Sequence, residues 1–190
     1  GSRVAAALSS AGFQVRAGAR DPRSSARRAP HFEWVKADFF NLTRADDWQD
    51  LLSGVYAVVN CVGVLQDGGK DSNRIAHIDG PRALIAACEA GGVSRLIHVS
   101  AVGADEDAGT LYASSKAETE AMVSASNLDW VILRPSLVVD RAAFGGTGFI
   151  RALAAMPLVM PVVGGEQKFK PVALADLAQA VVKLVADRTI

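Results

Sequence analysis

Short apolar strands alternate with amphipathic helical segments along most of this chain. The predicted strands, rich in β-branched residues, cover residues 13–17, 32–37, 55–59, 95–99 and 129–134. Helical spacing of apolar residues and glycine stops predict helices at the chain start and over about 43–52, 75–90, 111–126 and 174–186. Strands this apolar are covered on both faces. The pattern therefore predicts an α/β fold, a doubly wound parallel sheet with helices on both of its faces.

Length, charge and cysteine content limit the class of protein. The 190 residues fit a single domain over 1–190, because a domain has roughly 100–200 residues. Twenty basic residues balance 20 acidic ones, so no net field attracts nucleic acid, and the apolar run 152–163 is shorter than the ~20 residues of a membrane span. Secretion is not indicated by the first residues, and two cysteines in apolar segments favour free thiols. We therefore expect a cytoplasmic protein with a small-molecule substrate and no nucleic-acid or membrane partner.

The segment Tyr112-Ala-Ser-Ser-Lys116 carries the clearest chemical signal. A four-residue offset places both side chains on one face of a helix, where an ammonium favours the ionised form of a phenol. Such a phenol can donate or accept a proton near neutral pH. Ser100 follows the strand 95–99, so its hydroxyl and Tyr112 are expected at the same sheet edge. The alternatives are a solvated helix pair and a serine that satisfies backbone groups at a strand end.

Further motifs follow the other strands, and their order gives the chain a family resemblance. They are Asp38, Val58-Val-Asn-Cys-Val-Gly63, His98-Val-Ser100, the Tyr112/Lys116 pair, Leu133-Arg-Pro-Ser136 and Pro171-Val-Ala-Leu-Ala-Asp-Leu-Ala178. In this order and spacing the sequence resembles the short-chain dehydrogenase/reductase superfamily, in particular its extended or atypical, epimerase/dehydratase-like members. The resemblance covers nearly the whole chain and implies one NAD(P)-binding, Rossmann-like domain with part of a substrate-binding region at about 137–190.

The resemblance also implies roles for individual residues. Asp38 would contact the adenine, Gly63 would let the backbone approach the cofactor, and Pro135 would border the nicotinamide. Tyr112 would act as acid and base, while Lys116 would bind the nicotinamide ribose and lower the pKa of Tyr112. Asn60 belongs to the same cofactor-binding turn, although Asn60 and Gly63 serve equally well in a simple tight turn.

The sequence departs from the family pattern in three places. Gly1 looks like the last glycine of a phosphate-binding loop, so we expect the first strand and most of that loop to precede residue 1, unless Gly1-Ser2 is a cloning remnant. Ser100 is followed by Ala101, and either residue matches the catalytic hydroxyl position. The region after 136 is short, and its glycine-rich stretch 145–150 is interpreted as an ordinary loop. We expect residues 142–170 to shape the substrate pocket.

Cofactor choice depends on the segment Ala17-Gly-Ala-Arg20-Asp-Pro-Arg23 after the first strand. An acidic residue at this point accepts hydrogen bonds from the adenosine ribose, whereas an arginine accommodates a 2′-phosphate. Arg20 comes first, so NADP(H) is favoured, with NAD left open by the adjacent Asp21. A solvated basic loop is the alternative reading of Arg20 and the arginines that follow it.

Two functional hypotheses follow. In the first, the protein is an oxidoreductase that transfers hydride between a carbonyl and an alcohol, with Tyr112, Lys116 and Ser100 as catalytic residues. In the second, it is a nucleotide-binding structural or redox-sensor protein similar to the NmrA-like regulators or the nucleotide-binding accessory subunit of mitochondrial complex I. The histidines lack ligand spacing, so we predict no metal site. The sequence does not fix the oligomeric state; a homodimer is an interpretation by analogy alone, with relatives in which the tyrosine-bearing helix packs between subunits.

Overall fold

Helices and parallel strands alternate along the chain in a computed structural model, which describes residues 1–65, 67–68, 72–107, 109–140, 146–155 and 170–189. The helices are α1 (Ser2–Ser10), α2 (Pro22–Arg28), α3 (Gln49–Leu52), α4 (Gly80–Ala90), α5 (Leu111–Ser124), α6 (Gly146–Ala154) and α7 (Leu174–Ala186). The strands are β1 (Arg16–Ala19), β2 (Glu33–Lys36), β3 (Ala57–Asn60), β4 (Arg95–Val99), β5 (Asp129–Leu133), β6 (Val138–Val139) and β7 (Val172–Ala173). A 3₁₀ turn, Ala45–Trp48, precedes α3, and a π-helical turn, Ile75–Asp79, precedes α4.

All strand pairs of the described residues are parallel, as the sequence predicts. The strand β4 lies between β3 and β5, with Ile97 opposite Val59 and Val131. Two further parallel pairs, β1 with β2 and β6 with β7, form separate sheets. In the part of the chain that the structure describes, no ladder joins β1 or β2 to β3. The α/β fold class is therefore confirmed, with the strands distributed over three sheets instead of one.

The strand β4 shows why both faces of the central sheet are covered. Adjacent residues of a strand point to opposite faces, and Leu96 and Ile97 are 1% and 0% exposed. Ile97 packs in a cluster with residues of α1 and α7, whereas Leu96 packs with residues of α4 and α5. Helices therefore lie on both faces of β3–β4–β5, which is the doubly wound arrangement.

Several predicted segments differ locally from the structure. The strand expected over 13–17 lies at Arg16–Ala19, and α2, Pro22–Arg28, lies in a segment for which no helix was predicted. The helix expected over 43–52 begins at Ala45 as a 3₁₀ turn, because the Asp47 carboxylate accepts the Arg44 amide at 2.9 Å and fixes the start two residues later than Thr43. The interpretation of 145–150 as a loop was wrong, since α6 begins at Gly146. Glycine lowers helix propensity by only about 1 kcal/mol per residue, which the apolar spacing that follows outweighs. The helix α7 matches its predicted bounds.

Much of the expected substrate-pocket region, 142–170, lies outside the described residues. None of the helices that the structure describes combines the length and the hydropathy needed to traverse a bilayer.

Candidate functional site

The carboxyl ends of β3, β4 and β5 meet at one edge because these strands are parallel. The backbone links the segments that leave them: the Ser100 amide donates to the Leu133 carbonyl at 2.7 Å, and the Val102 amide donates to the Pro135 carbonyl at 3.0 Å. Ser100 and Pro135, predicted from different strands, are thereby brought to the same edge.

The turn after β3 is shaped by Asn60. Its Oδ1 accepts the Val62 amide at 3.0 Å, and its Nδ2 lies 3.2 Å from His98 Nδ1. Three residues after Asn60, a Cβ on Gly63 would lie 3.4 Å from both His77 Nε2 and Lys116 Nζ. A Cβ at 63 would therefore be in contact with both groups, so the glycine backbone lies close against His77 and Lys116.

Lys116 lies behind this turn and is almost completely buried, with 3% of its surface exposed. Its ammonium donates to the Val99 carbonyl at 3.2 Å, which ties α5 to the end of β4. Burial lowers the pKa of Lys116 to about 8, because a buried ammonium is poorly solvated. Lys116 therefore remains mostly charged at neutral pH, with its ammonium beside the Gly63 backbone.

Tyr112 lies one turn before Lys116 on α5 and is half-buried. Its ring packs edge-on against His77, with the ring centroids 5.5 Å apart. Burial raises the pKa of the Tyr112 phenol, the opposite of the direction expected from a neighbouring ammonium. The difference arises because desolvation disfavours the phenolate, whereas the Lys116 ammonium is held at the Val99 carbonyl.

Ser100 points into the protein interior. It is 5% exposed, and its hydroxyl has no partner in hydrogen-bonding geometry among the described residues. The hydroxyl nevertheless lies near enough to Glu120 to act on its pKa. Burial by itself would raise the pKa of Glu120. The hydrogen bonds from Arg134, together with Ser100, outweigh the effect of burial, so the pKa of Glu120 is lowered. The Ser100 hydroxyl lies beside Glu120, and Ala101, which follows Ser100, is half-buried. The catalytic role of Ser100 stays a prediction.

Glu120 and Arg134 form an ion pair between α5 and the residue that follows β5. Arg134 Nε lies 3.0 and 2.9 Å from the two Glu120 oxygens, and a second guanidinium nitrogen contacts Oε2. The carboxylate is buried while the guanidinium is exposed. Sequence analysis missed this pair, because a 14-residue separation across a helix, a loop and a strand carries no periodic signal.

The predicted nucleotide-selecting residue, Arg20, is exposed directly after β1. The neighbouring Asp21 is the N-cap of α2, where its carboxylate accepts the Ser24 amide at 3.1 Å. Asp21 is therefore turned toward α2. Arg20 is the residue that directly follows β1.

Asp38 and Gly1 are placed by local contacts. The Asp38 carboxylate accepts the Phe40 amide at 3.2 Å and the Asn41 side-chain amide at 3.3 Å, so it caps the turn after β2. Gly1 is the N-cap of α1, and a Cβ there would lie 3.7 Å from the Cys61 Cβ. Gly1 thus lies beside the turn after β3. The contacts of Asp38 are with its own turn, and the cofactor roles of Arg20 and Asp38 stay predictions.

A cavity of about 650 Å³ lies on another part of the surface, between α5 and β5. Trp130, Arg134 and the acidic residues 105, 106 and 120 are among its lining residues. It contains none of the predicted cofactor or catalytic residues. Within the described ranges, no group of three or more histidine, cysteine or acidic side chains is suited to a metal ion.

Comparison with known proteins shows the family. Residues 1–188 match the model of a family described as NAD(P)H-binding. Over 121 residues the chain is 32% identical to NADH dehydrogenase (ubiquinone) 1 alpha subcomplex subunit 9, mitochondrial, from Arabidopsis thaliana. That match covers 62% of this chain and 29% of the relative, so the chain spans under a third of the relative's length.

Solved structures show the fold. UDP-glucose 4-epimerase of Thermus thermophilus, in complex with NAD, superposes with a TM-score of 0.76 at 20% identity, covering 98% of this chain and 71% of the epimerase. Triphenylmethane reductase of Citrobacter sp., complexed with NADP(H), gives 0.70 at 18% identity, covering 98% and 62%. The Rossmann-like expectation is confirmed, and the chain belongs to the NAD(P)H-binding family, as the resemblance to extended short-chain dehydrogenases/reductases predicts.

Proposed function

We propose that this protein binds NADP(H) at the carboxyl edge of β3–β4–β5 and uses it to reduce a small-molecule carbonyl. The observation that carries the proposal is the pairing of Gly63 with Lys116. The Gly63 backbone lies beside the buried Lys116 ammonium, whose nitrogen is 3.4 Å from the position that a Cβ on residue 63 would occupy. A dinucleotide fits this arrangement, because its ribose hydroxyls accept hydrogen bonds from a cation and the turn that contains Gly63 holds that cation at the edge of the sheet.

The proposed chemistry assigns the proton to Tyr112. The bound nicotinamide supplies hydride to the carbonyl carbon. Tyr112 would donate its phenolic proton to the carbonyl oxygen and be left as the phenolate. Because burial raises the pKa of Tyr112, the phenol is protonated at neutral pH. It is therefore ready as a donor for reduction, and less suited to act as a base in alcohol oxidation.

Lys116→Met is expected to weaken NADPH binding by about ten- to a hundredfold, the value of a hydrogen bond from a charged group. The variant should fold, because burial already disfavours the charged form of Lys116. Calorimetric titration of wild type and variant measures the effect, with the exposed α7 residue Lys183, changed to Met, as control. If wild type binds neither NADPH nor NADH, the proposed function fails and the likeness is one of fold alone.

Arg20→Asp is expected to reduce the preference for NADPH over NADH by about tenfold or more, because a carboxylate repels the 2′-phosphate and accepts from ribose hydroxyls. The matched control is Arg27→Asp, which makes the same charge change at an exposed position of α2. Equal loss of preference in both variants would contradict a specific role for Arg20 and favour a solvated basic loop.

A second candidate function is nucleotide binding without turnover. The buried Ser100 hydroxyl favours it, since a group with 5% exposure beside Glu120 does not face a substrate at the open edge. The Arabidopsis relative, named as a subunit of a larger complex, is consistent with it. A screen of sugar-nucleotide, steroid, flavonoid and quinone-like carbonyls separates the two functions: NADPH oxidation above background supports the enzyme, and binding without oxidation supports the second function.

A further inference from the structure

His77 joins the turn 62–64, which contains Gly63 and is here called the glycine turn, to α5, the helix that bears Tyr112 and Lys116. It is 1% exposed and lies in the π-helical turn Ile75–Asp79, a local widening of the helix that is frequent at functional sites. Sequence analysis gave His77 no role, because its partners are distant in the sequence and meet it only through this turn and the packing of α4 near α5.

The hydrogen bonds of His77 fix its tautomer. The Val64 amide donates to Nε2 at 3.1 Å, so this nitrogen carries no proton. Nδ1 therefore bears the proton and donates to the Ser115 hydroxyl at 2.9 Å. Ser115 Oγ in turn donates to the Tyr112 carbonyl at 3.0 Å. The direction of donation is consistent from Val64 through His77 and Ser115 to Tyr112.

These hydrogen bonds require a neutral imidazole, since a charged ring cannot accept a hydrogen bond from the Val64 amide. Burial, reinforced by the Lys116 charge, lowers the pKa of His77 to about 4. The ring is therefore neutral across the pH range in which the protein would work. The Thr119 hydroxyl contacts the His77 carbonyl, which holds the backbone of the same residue to α5.

We propose that His77 is a positioning residue that fixes the glycine turn 62–64 against the first turns of α5, and so sets the gap between the Gly63 backbone and the Lys116 ammonium. The inference rests on the proposed function, because the nucleotide is proposed to bind at the edge that this turn and Lys116 form together. His77 acts through its neighbours and not on substrate.

His77→Phe keeps an aromatic ring of similar size but neither hydrogen bond, and we expect it to weaken NADPH binding by about tenfold. His77→Gln retains one acceptor and one donor, so affinity should return to within about threefold of wild type. Val123→Ala is the control for lost stability, because Val123 is buried on α5 and packs with Leu96 and Ile85, away from the turn. Its affinity for NADPH should not change, although its thermal stability falls.

Hydrogen exchange of the Val64 amide, followed by NMR, tests the positioning without any ligand. The amide should be protected in wild type and His77→Gln, and should exchange at least about tenfold faster in His77→Phe, while Val123→Ala leaves it protected. Unchanged Val64 protection in His77→Phe would overturn the inference, and so would an equal loss of affinity in His77→Phe and Val123→Ala. If wild type binds no nucleotide but exchange responds as expected, the proposed function fails while the positioning role stands.

Discussion

Tyr112→Phe is expected to lower the rate of NADPH-dependent carbonyl reduction by about 10²- to 10⁴-fold, the contribution of a positioned proton donor. The phenyl ring retains the edge-on contact with His77, whose centroid lies 5.5 Å away. The affinity for NADPH should therefore stay within about threefold of wild type. Rates are measured with any carbonyl that the wild-type protein reduces, and affinity is measured by calorimetry.

Tyr56→Phe is the matched control, because it removes the same hydroxyl from an exposed residue that precedes β3. An unchanged rate in Tyr112→Phe would exclude Tyr112 as the proton donor. The pH dependence gives a second readout. Since burial raises the pKa of Tyr112, alcohol oxidation, which needs the phenolate, should be slow at neutral pH and accelerate as the pH rises.

Gly80→Ala is expected to destabilise the protein by up to about 2 kcal/mol, because inserting a methyl group into a packed core costs about 1–3 kcal/mol and alanine returns about 1 kcal/mol of helix propensity. A Cβ at Gly80 would lie 2.7 Å from the Phe39 Cβ and still closer to its ring. Phe39 is buried and packs edge-on against Trp48, with ring centroids 5.5 Å apart. The ring has little room to move, so the clash outweighs the gain of about 1 kcal/mol that alanine brings to a helix.

Urea unfolding of wild type and variant measures this effect, with Gly109→Ala as control because a Cβ there meets nothing within 4 Å. Phe39→Leu should partly rescue Gly80→Ala, so that the double variant is more stable than the sum of the two single effects predicts. Equal stability of Gly80→Ala and Gly109→Ala would contradict the close packing of α4 on Phe39.

The sequence predicted well what depends on short-range periodicity. The bounds of α7 follow from apolar residues at helical spacing, and the β-branched run 95–99 coincides with β4. The four-residue offset also placed Tyr112 and Lys116 on one helix. That the residues following β3, β4 and β5 share one edge was predictable as well, because parallel strands bring their carboxyl ends to the same side.

Other features depend on long-range packing and could not be predicted. The contacts of His77 require a π-helical turn, which no residue pattern specifies. The ion pair of Glu120 and Arg134 beside Ser100 forms only after α5 packs on β5. The direction of the Tyr112 pKa depends on how deeply the ring is buried, and burial depth is a property of the assembled site.

The attachments of α5 determine which parts of the site can move. Lys116 is tied to β4, Ser115 and Thr119 to the segment before α4, and Glu120 to the end of β5. Because these ties lie on consecutive turns and run to three different elements, neither sliding nor rotation of α5 is possible without breaking several hydrogen bonds at once. We therefore expect α5 to keep its position when a molecule binds at the site. Any rearrangement around a bound molecule would therefore involve elements other than α5.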